Sequence, residues 1–192
     1  SVSVCWLPKI IAEFSNEYPN ISIDVSVGTY KTIEDMIIAE EVDCGFMSGT
    51  MRKELKFVPL CVDRMLALVP PKLLPSGCKT LPLEAISDID FIIPGEGSNY
   101  DIGRILRTAG VRPRVKYSVS DDYAAVAMAE GGLGMTIVPE LILKGIGGNR
   151  AAVELEPACT RTIGIAERSI GTGSPACAAF MRFTENWVKR NS

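Results

Sequence analysis

Asp121-Asp122-Tyr123-Ala124-Ala125-Val126-Ala127-Met128-Ala129-Glu130-Gly131-Gly132-Leu133-Gly134-Met135-Thr136-Ile137-Val138-Pro139-Glu140 contains one complete α/β step. Asp121–Glu130 predicts a helix, with two acids at the start, where the helix dipole favours negative charge. The glycines break it, and Met135–Val138 predicts a strand closed by Pro139. Upstream, Arg114–Val119 reads as a strand. Ile102, Ile105, Leu106 and Ala109 share one face of a helix, and Phe91–Ile93 is a further strand. Downstream come a glycine-rich loop at Gly145–Asn149, a strand at Thr162–Ala166 and a last helix from Pro175, capped by Ser174.

The N-terminal half has the same grammar. Leu7, Ile10, Ile11, Phe14 and Tyr18 recur at helical spacing, so Leu7–Tyr18 is predicted as an amphipathic helix ended by Pro19-Asn20. Ile21, Ile23, Val25 and Val27 alternate with polar residues, the pattern of a half-buried strand, which Gly28 breaks. Ile33, Met36 and Ile37 mark a helix, and Val42–Met47, Lys56–Val58 and Met65–Val69 are expected strands. This β-α-β-α-β order favours a mostly parallel sheet. The proline-rich stretch Pro70–Pro82 reads as a linker or lobe boundary.

Composition excludes several functions. The chain has 192 residues, 47% hydrophobic and 22% charged, ordinary for a soluble globular protein, and its longest apolar runs are far too short to span a membrane. The net charge is −3 with no block of Lys or Arg, so this segment by itself is a poor partner for nucleic acid. There is no histidine, and Cys5, Cys44, Cys61, Cys78, Cys159 and Cys177 form no CxxC pair. Ser–His and Cys–His catalysis are therefore impossible, and neither a zinc site nor any other metal or cofactor is expected. Cysteines inside apolar runs read as reduced, buried thiols of a cytoplasmic protein.

Several stretches, in order, resemble the effector-binding domain of the LysR-type transcription regulators. Ser1-Val2-Ser3-Val4-Cys5-Trp6-Leu7-Pro8, followed by Phe14 and Tyr18-Pro19-Asn20-Ile21, is similar to that family's first helix and second strand. Val27-Gly28-Thr29 and Glu41-Val42-Asp43-Cys44-Gly45-Phe46 resemble its next strand, helix and acidic run. Met65-Leu66-Ala67-Leu68-Val69-Pro70 resembles the strand entering its hinge, and Gly131–Glu140 its Gly-Leu-Gly strand ending in Pro-Glu. The shared order covers nearly the whole chain.

The resemblance implies an α/β fold of two Rossmann-like lobes joined by two crossover strands, similar to type 2 periplasmic binding proteins. Lobe I would be residues 1–71 plus 159–192, and lobe II residues 72–158. It also implies a non-enzymatic, ligand-sensing role, a homodimer or higher homo-oligomer, and DNA binding only through a helix-turn-helix domain that this chain does not contain. The family's first strand is expected before Ser1, so the chain is read as trimmed or partial. The rival reading on the same fold is a solute-binding protein of an ABC-type transporter.

The site residues follow from strand and helix ends. Ser1 and Ser3 precede an apolar helix face. They read either as helix caps or as hydroxyls beside orphan N–H groups that attract a carboxylate or oxyanion. The family places a ligand-contacting Ser or Thr at the position of Ser1. Thr29 and Ser48 end expected strands, where open α/β sheets bind ligands, although Gly28-Thr29 also reads as plain turn chemistry. Pro94, Gly95, Gly97 and Ser98 form the matching strand-to-helix loop of lobe II, whose backbone amides would approach a ligand closely or merely connect. Together these residues are expected to hold a small anionic effector in the cleft between the lobes. Cys5 reads as packing in preference to a redox sensor, Asp121-Asp122 as dipole-favoured acids, and Trp187, Phe180 and Phe183 as core.

Overall fold

The computed structural model describes residues 1–49, 52–74, 77–146, 152–169 and 173–191, with the backbone alone at 96–99. Two compact units emerge. Unit 1 comprises Ser1–Val62 and Thr162–Ser192, and unit 2 comprises Asp63–Arg161.

Unit 1 begins with a short helix α1 (Val2–Cys5), then α2 (Leu7–Glu17) and α3 (Tyr30–Ile38), followed by strand β1 (Cys44–Met47). The long strands β2 (Leu55–Leu68) and β7 (Ala152–Arg168) each run from one unit into the other and are neighbours in the sheet. These are the two expected crossover strands. Helix α7 (Pro175–Asn191) closes the chain, and Ser174 Oγ accepts from the Cys177 N–H at 3.0 Å, the predicted cap. Phe14 is fully buried between α2 and α7. It stacks on Tyr18 at 4.6 Å and meets Phe180 and Phe183 edge-on at 5.2 and 5.4 Å. Such ring pairs contribute about 0.5–1.5 kcal/mol beyond area burial. Trp187 packs edge-on against Trp6, and its indole N–H donates to Glu13 Oε1 at 2.7 Å.

Unit 2 holds β3 (Thr80–Pro82), β4 (Asp90–Ile93), α4 (Glu96–Ala109), β5 (Arg114–Ser118), α5 (Asp122–Glu130), β6 (Thr136–Pro139) and α6 (Glu140–Ile146). Its larger core gathers Met65, Ile86, Phe91, Ile102, Met135 and Ile137, and a second cluster sets α5 and Ile142 against Leu68 and Ile92. Asp121 caps α5, accepting from the Ala124 N–H at 3.0 Å. The glycine before β6 has a steric cause. A Cβ on Gly134 would lie 2.4 Å from the Asp90 carbonyl oxygen, the same oxygen that accepts from the Met135 N–H at 2.8 Å.

Five expectations change. Residues 21–27 form no ladder with any described strand, and Val25 and Val27 are exposed; alternation marks a strand only when a neighbour supplies hydrogen bonds. The expected strands at Lys56–Val58 and Met65–Val69 are one strand, β2, which continues through the exposed Pro59 and pairs with β6 only over Met65–Leu68. The sheet is not mostly parallel: β1 with β7 and β2 with β6 are antiparallel, while β3 with β7 and β4 with β5 are parallel. Helix α4 starts at Glu96, so Gly97 and Ser98 lie in its first turn and not in a loop. Gly145 belongs to α6, and the rest of the expected loop at Gly145–Asn149 falls in that helix at Ile146 or outside the described residues.

Candidate functional site

The expected effector residues of unit 1 stand at the ends of its elements. Ser1 is the N-cap residue of α1, and its carbonyl accepts from the Val4 and Cys5 N–H groups at 3.2 and 2.9 Å. Ser3 lies inside that turn, so it is not the cap. Thr29 is the N-cap of α3. Its Oγ1 accepts from the Thr32 N–H at 3.1 Å and lies 2.9 Å from Thr32 Oγ1, so its hydroxyl has a structural task whatever else it does. Ser48 follows β1 and is half-buried.

In unit 2, Pro94 is buried and Gly95 is the N-cap residue of α4. A Cβ on Gly95 would come within 2.2 Å of the Ser120 carbonyl oxygen, so close backbone packing alone requires glycine there. The side chains at Gly97 and Ser98 lie outside the described residues. A shallow cavity of about 140 Å³ in unit 1, bordered by Tyr18, Arg182, Asn186 and Arg190, contains none of these residues.

Sequence reasoning missed the charged centre of unit 2. Asp63 on β2 is 6% exposed and Arg161 on β7 is 3% exposed. Arg161 places Nε 3.0 Å and Nη2 2.9 Å from Asp63 Oδ2, and its Nη1 lies 3.6 Å from Oδ2 of the fully buried Asp101 on α4. The other oxygen of Asp63 accepts from the Leu141 N–H at 3.1 Å. Arg104 stands 3.7 Å from Asp101 and donates to the Thr160 carbonyl at 3.3 Å. The cluster thus joins α4, α6, β2 and β7 at the two points where the chain passes between the units.

Next to it, Arg64 grips Glu140 with Nε at 3.1 Å and Nη2 at 2.6 Å and also pairs with Glu154. The Arg64 guanidinium holds the Glu140 carboxyl below its ordinary range, with Lys144 adding to the effect. Elsewhere in unit 2, Lys116 and Arg114 flank Asp90 and lower its pKa in the same way. In the sequence, Asp63 and Arg161 are ordinary charged residues, Asp63 followed by Arg64 and Arg161 flanked by Thr160 and Thr162, so nothing local marks them as partners. Among the described residues no group of His, Cys, Asp and Glu side chains is arranged to hold a metal ion, and no helix is long and apolar enough to cross a membrane.

Comparison with known proteins assigns this architecture. A family model described as the LysR substrate binding domain matches residues 1–189. The uncharacterized HTH-type transcriptional regulator YvbU of Bacillus subtilis (strain 168) is 21% identical over 187 residues, covering 96% of this chain and 64% of that protein. With CysL of the same organism the match covers 47% of the relative, so the chain spans about half to under two thirds of these regulators' length. The effector binding domain of QuiR in complex with shikimate superposes with a TM-score of 0.85 at 20% identity, over 98% of this chain and 93% of that one. The regulatory domain of Synechocystis PCC6803 CcmR in complex with 2-PG gives 0.86 at 18% identity, over 96% and 91%. At such identity these structures show the fold.

Proposed function

The chain belongs to the LysR substrate-binding domain family, and from that premise we propose that it is the effector-sensing part of a longer transcription regulator. The match over residues 1–189 carries this reading. The effector we propose is a small carboxylate or oxyanion, met by Ser1, Ser3, Thr29 and Ser48 from unit 1 and by Pro94, Gly95, Gly97 and Ser98 from unit 2. Helix starts such as those of α3 and α4 present N–H groups and the positive end of the dipole, which suits an anion. Shikimate and 2-PG, the ligands of QuiR and CcmR, are starting points for the chemical class.

DNA contact, on this reading, belongs to a helix-turn-helix part beyond the residues described, as the relatives' names indicate. The chain itself performs no turnover, acts in the cytoplasm and assembles as a homodimer or larger homo-oligomer. The matched relatives are regulators, which does not favour the transporter alternative.

The test is a thermal-shift titration with small carboxylates and phosphate esters, shikimate and 2-PG included. A ligand at a hundred times its Kd stabilises the bound fold by about 2.7 kcal/mol. A genuine effector therefore raises the melting temperature saturably, and Ser48→Ala weakens that rise. A panel in which no anion shifts the melt, or in which an anion is chemically turned over, contradicts the proposal.

A further inference from the structure

The end of α2 and one exposed stripe of α7 border the shallow cavity of about 140 Å³ in unit 1, which contains none of the expected effector residues. Arg182, Asn186 and Arg190 recur every four residues, so their side chains are neighbours on one face of α7. Glu17 and Tyr18 come from the end of α2, and the half-buried Phe183 adds an apolar surface.

Folding accounts for Arg190. It sits in the last turn of α7, where the helix dipole favours a cation, and its Nη2 lies 3.5 Å from Glu13 Oε2. Arg182 and Glu17 have no such explanation. Among the described residues neither takes part in a hydrogen bond or ion pair, and the same holds for the Asn186 amide and the Tyr18 hydroxyl. One exposed arginine or glutamate is ordinary surface. Here two opposite charges border one small cavity, yet stand beyond ion-pair distance of each other.

The charge balance selects the ligand. Glu13 offsets Arg190, which leaves Arg182 and Glu17 as one unpaired cation and one unpaired anion. A phosphate or simple carboxylate would meet the Glu17 carboxylate as well as the guanidinium, whereas a molecule carrying both charges satisfies both. We propose that this cavity binds a small α-amino acid as its zwitterion. The ligand carboxylate accepts from the Arg182 guanidinium, whose planar fork suits it, and the ligand ammonium donates to Glu17. Asn186 and Tyr18 supply further hydrogen bonds, and a short side chain lies against Phe183. The volume suits a molecule well below drug size, which takes a pocket of about 300–1,000 Å³. Arg182 and Glu17 are exposed, so solvent screening keeps the affinity in the millimolar range.

Titration of the chain with L-alanine, followed in two-dimensional nitrogen–proton spectra, tests the proposal. Amides of residues 17–18 and 182–190 should shift saturably. So should the indole N–H of Trp187, which donates to Glu13 beside the cavity. Acetate and methylammonium, each with one of the two charges, should bind several-fold more weakly. Arg182→Ala and Glu17→Gln, both at exposed positions, should melt like wild type and each weaken alanine binding by about fivefold or more. Ser48→Ala, in the proposed effector site, should leave it unchanged. Absence of a saturable shift at these residues in the millimolar range would overturn the proposal. So would acetate or inorganic phosphate binding as well as alanine, or loss of binding in Ser48→Ala, whichever way the effector panel turns out.

Discussion

Replacing Arg161 by Met tests whether the buried charges of unit 2 hold that unit together. Methionine fills similar length but leaves Asp63 and Asp101, 6% and 0% exposed, without the guanidinium that lies 2.9 and 3.6 Å from them. Asp63 would keep the Leu141 N–H, and Asp101 would keep Arg104 at 3.7 Å, so neither charge is wholly abandoned. Breaking a buried pair from one side costs about 3–5 kcal/mol, because the remaining charge stays buried without its main counter-charge. With a urea slope of about 2 kcal/mol per molar, the midpoint should fall by about 1.5–2.5 M. Both tryptophans, Trp6 and Trp187, lie in unit 1, so far-ultraviolet circular dichroism is the suitable probe for unit 2. Adding Asp63→Asn and Asp101→Asn to Arg161→Met should recover much of the loss, since the penalty belongs to uncompensated charge. A loss below about 1 kcal/mol for Arg161→Met, the range of an exposed pair, would refute the reasoning.

The remaining expectations concern single groups. Glu140 has a pKa lowered by Arg64, so its contribution is present above the unfolded value of about 4.3 and is lost as pH falls through the lower folded value; Glu140→Gln should therefore melt below wild type at pH 7, with the gap closing under acid. Thr29→Val removes the α3 cap, costing about 1 kcal/mol and so lowering the melting temperature by about 2–4 °C, while Thr29→Asn keeps a capping oxygen and most of the stability. The chain by itself, at net charge −3, should show no specific operator binding in a gel shift at physiological salt. Sedimentation at high protein concentration should show self-association, and a monomer would count against the proposed homodimer.

Local signals carried the parts of the fold that are locally determined. Ser174 capping α7 depends on neighbours within a few residues, so residue type revealed it; Asp121 was read only as an acid favoured at the start of the helix, and the structure makes it the cap of α5. Pairing was less legible. The alternation at Ile21–Val27 announced a strand that no described neighbour completes, and Pro59 masked the continuity of β2. Helix α6 went unseen because Pro139 and Gly145 bracket it like punctuation. The ion pair of Asp63 and Arg161 joins residues far apart in the chain, and no periodicity records such a meeting. At the site, Thr29 and Gly95 were singled out as ligand residues, yet each also has a packing or capping duty that selects the same residue type. Sequence alone cannot separate two causes that favour one side chain.

On the proposed function, binding of a small anion to this domain alters DNA recognition by a longer regulator. The most direct test is operator affinity of that full-length protein, measured by fluorescence anisotropy with and without the anion that stabilises the isolated domain. Coupling obliges the ligand to change operator affinity by the factor by which DNA changes ligand affinity, and tenfold corresponds to about 1.4 kcal/mol. Operator affinity or footprint should change by about fivefold or more at saturating ligand. Identical operator affinity and footprint with the domain fully occupied would contradict it.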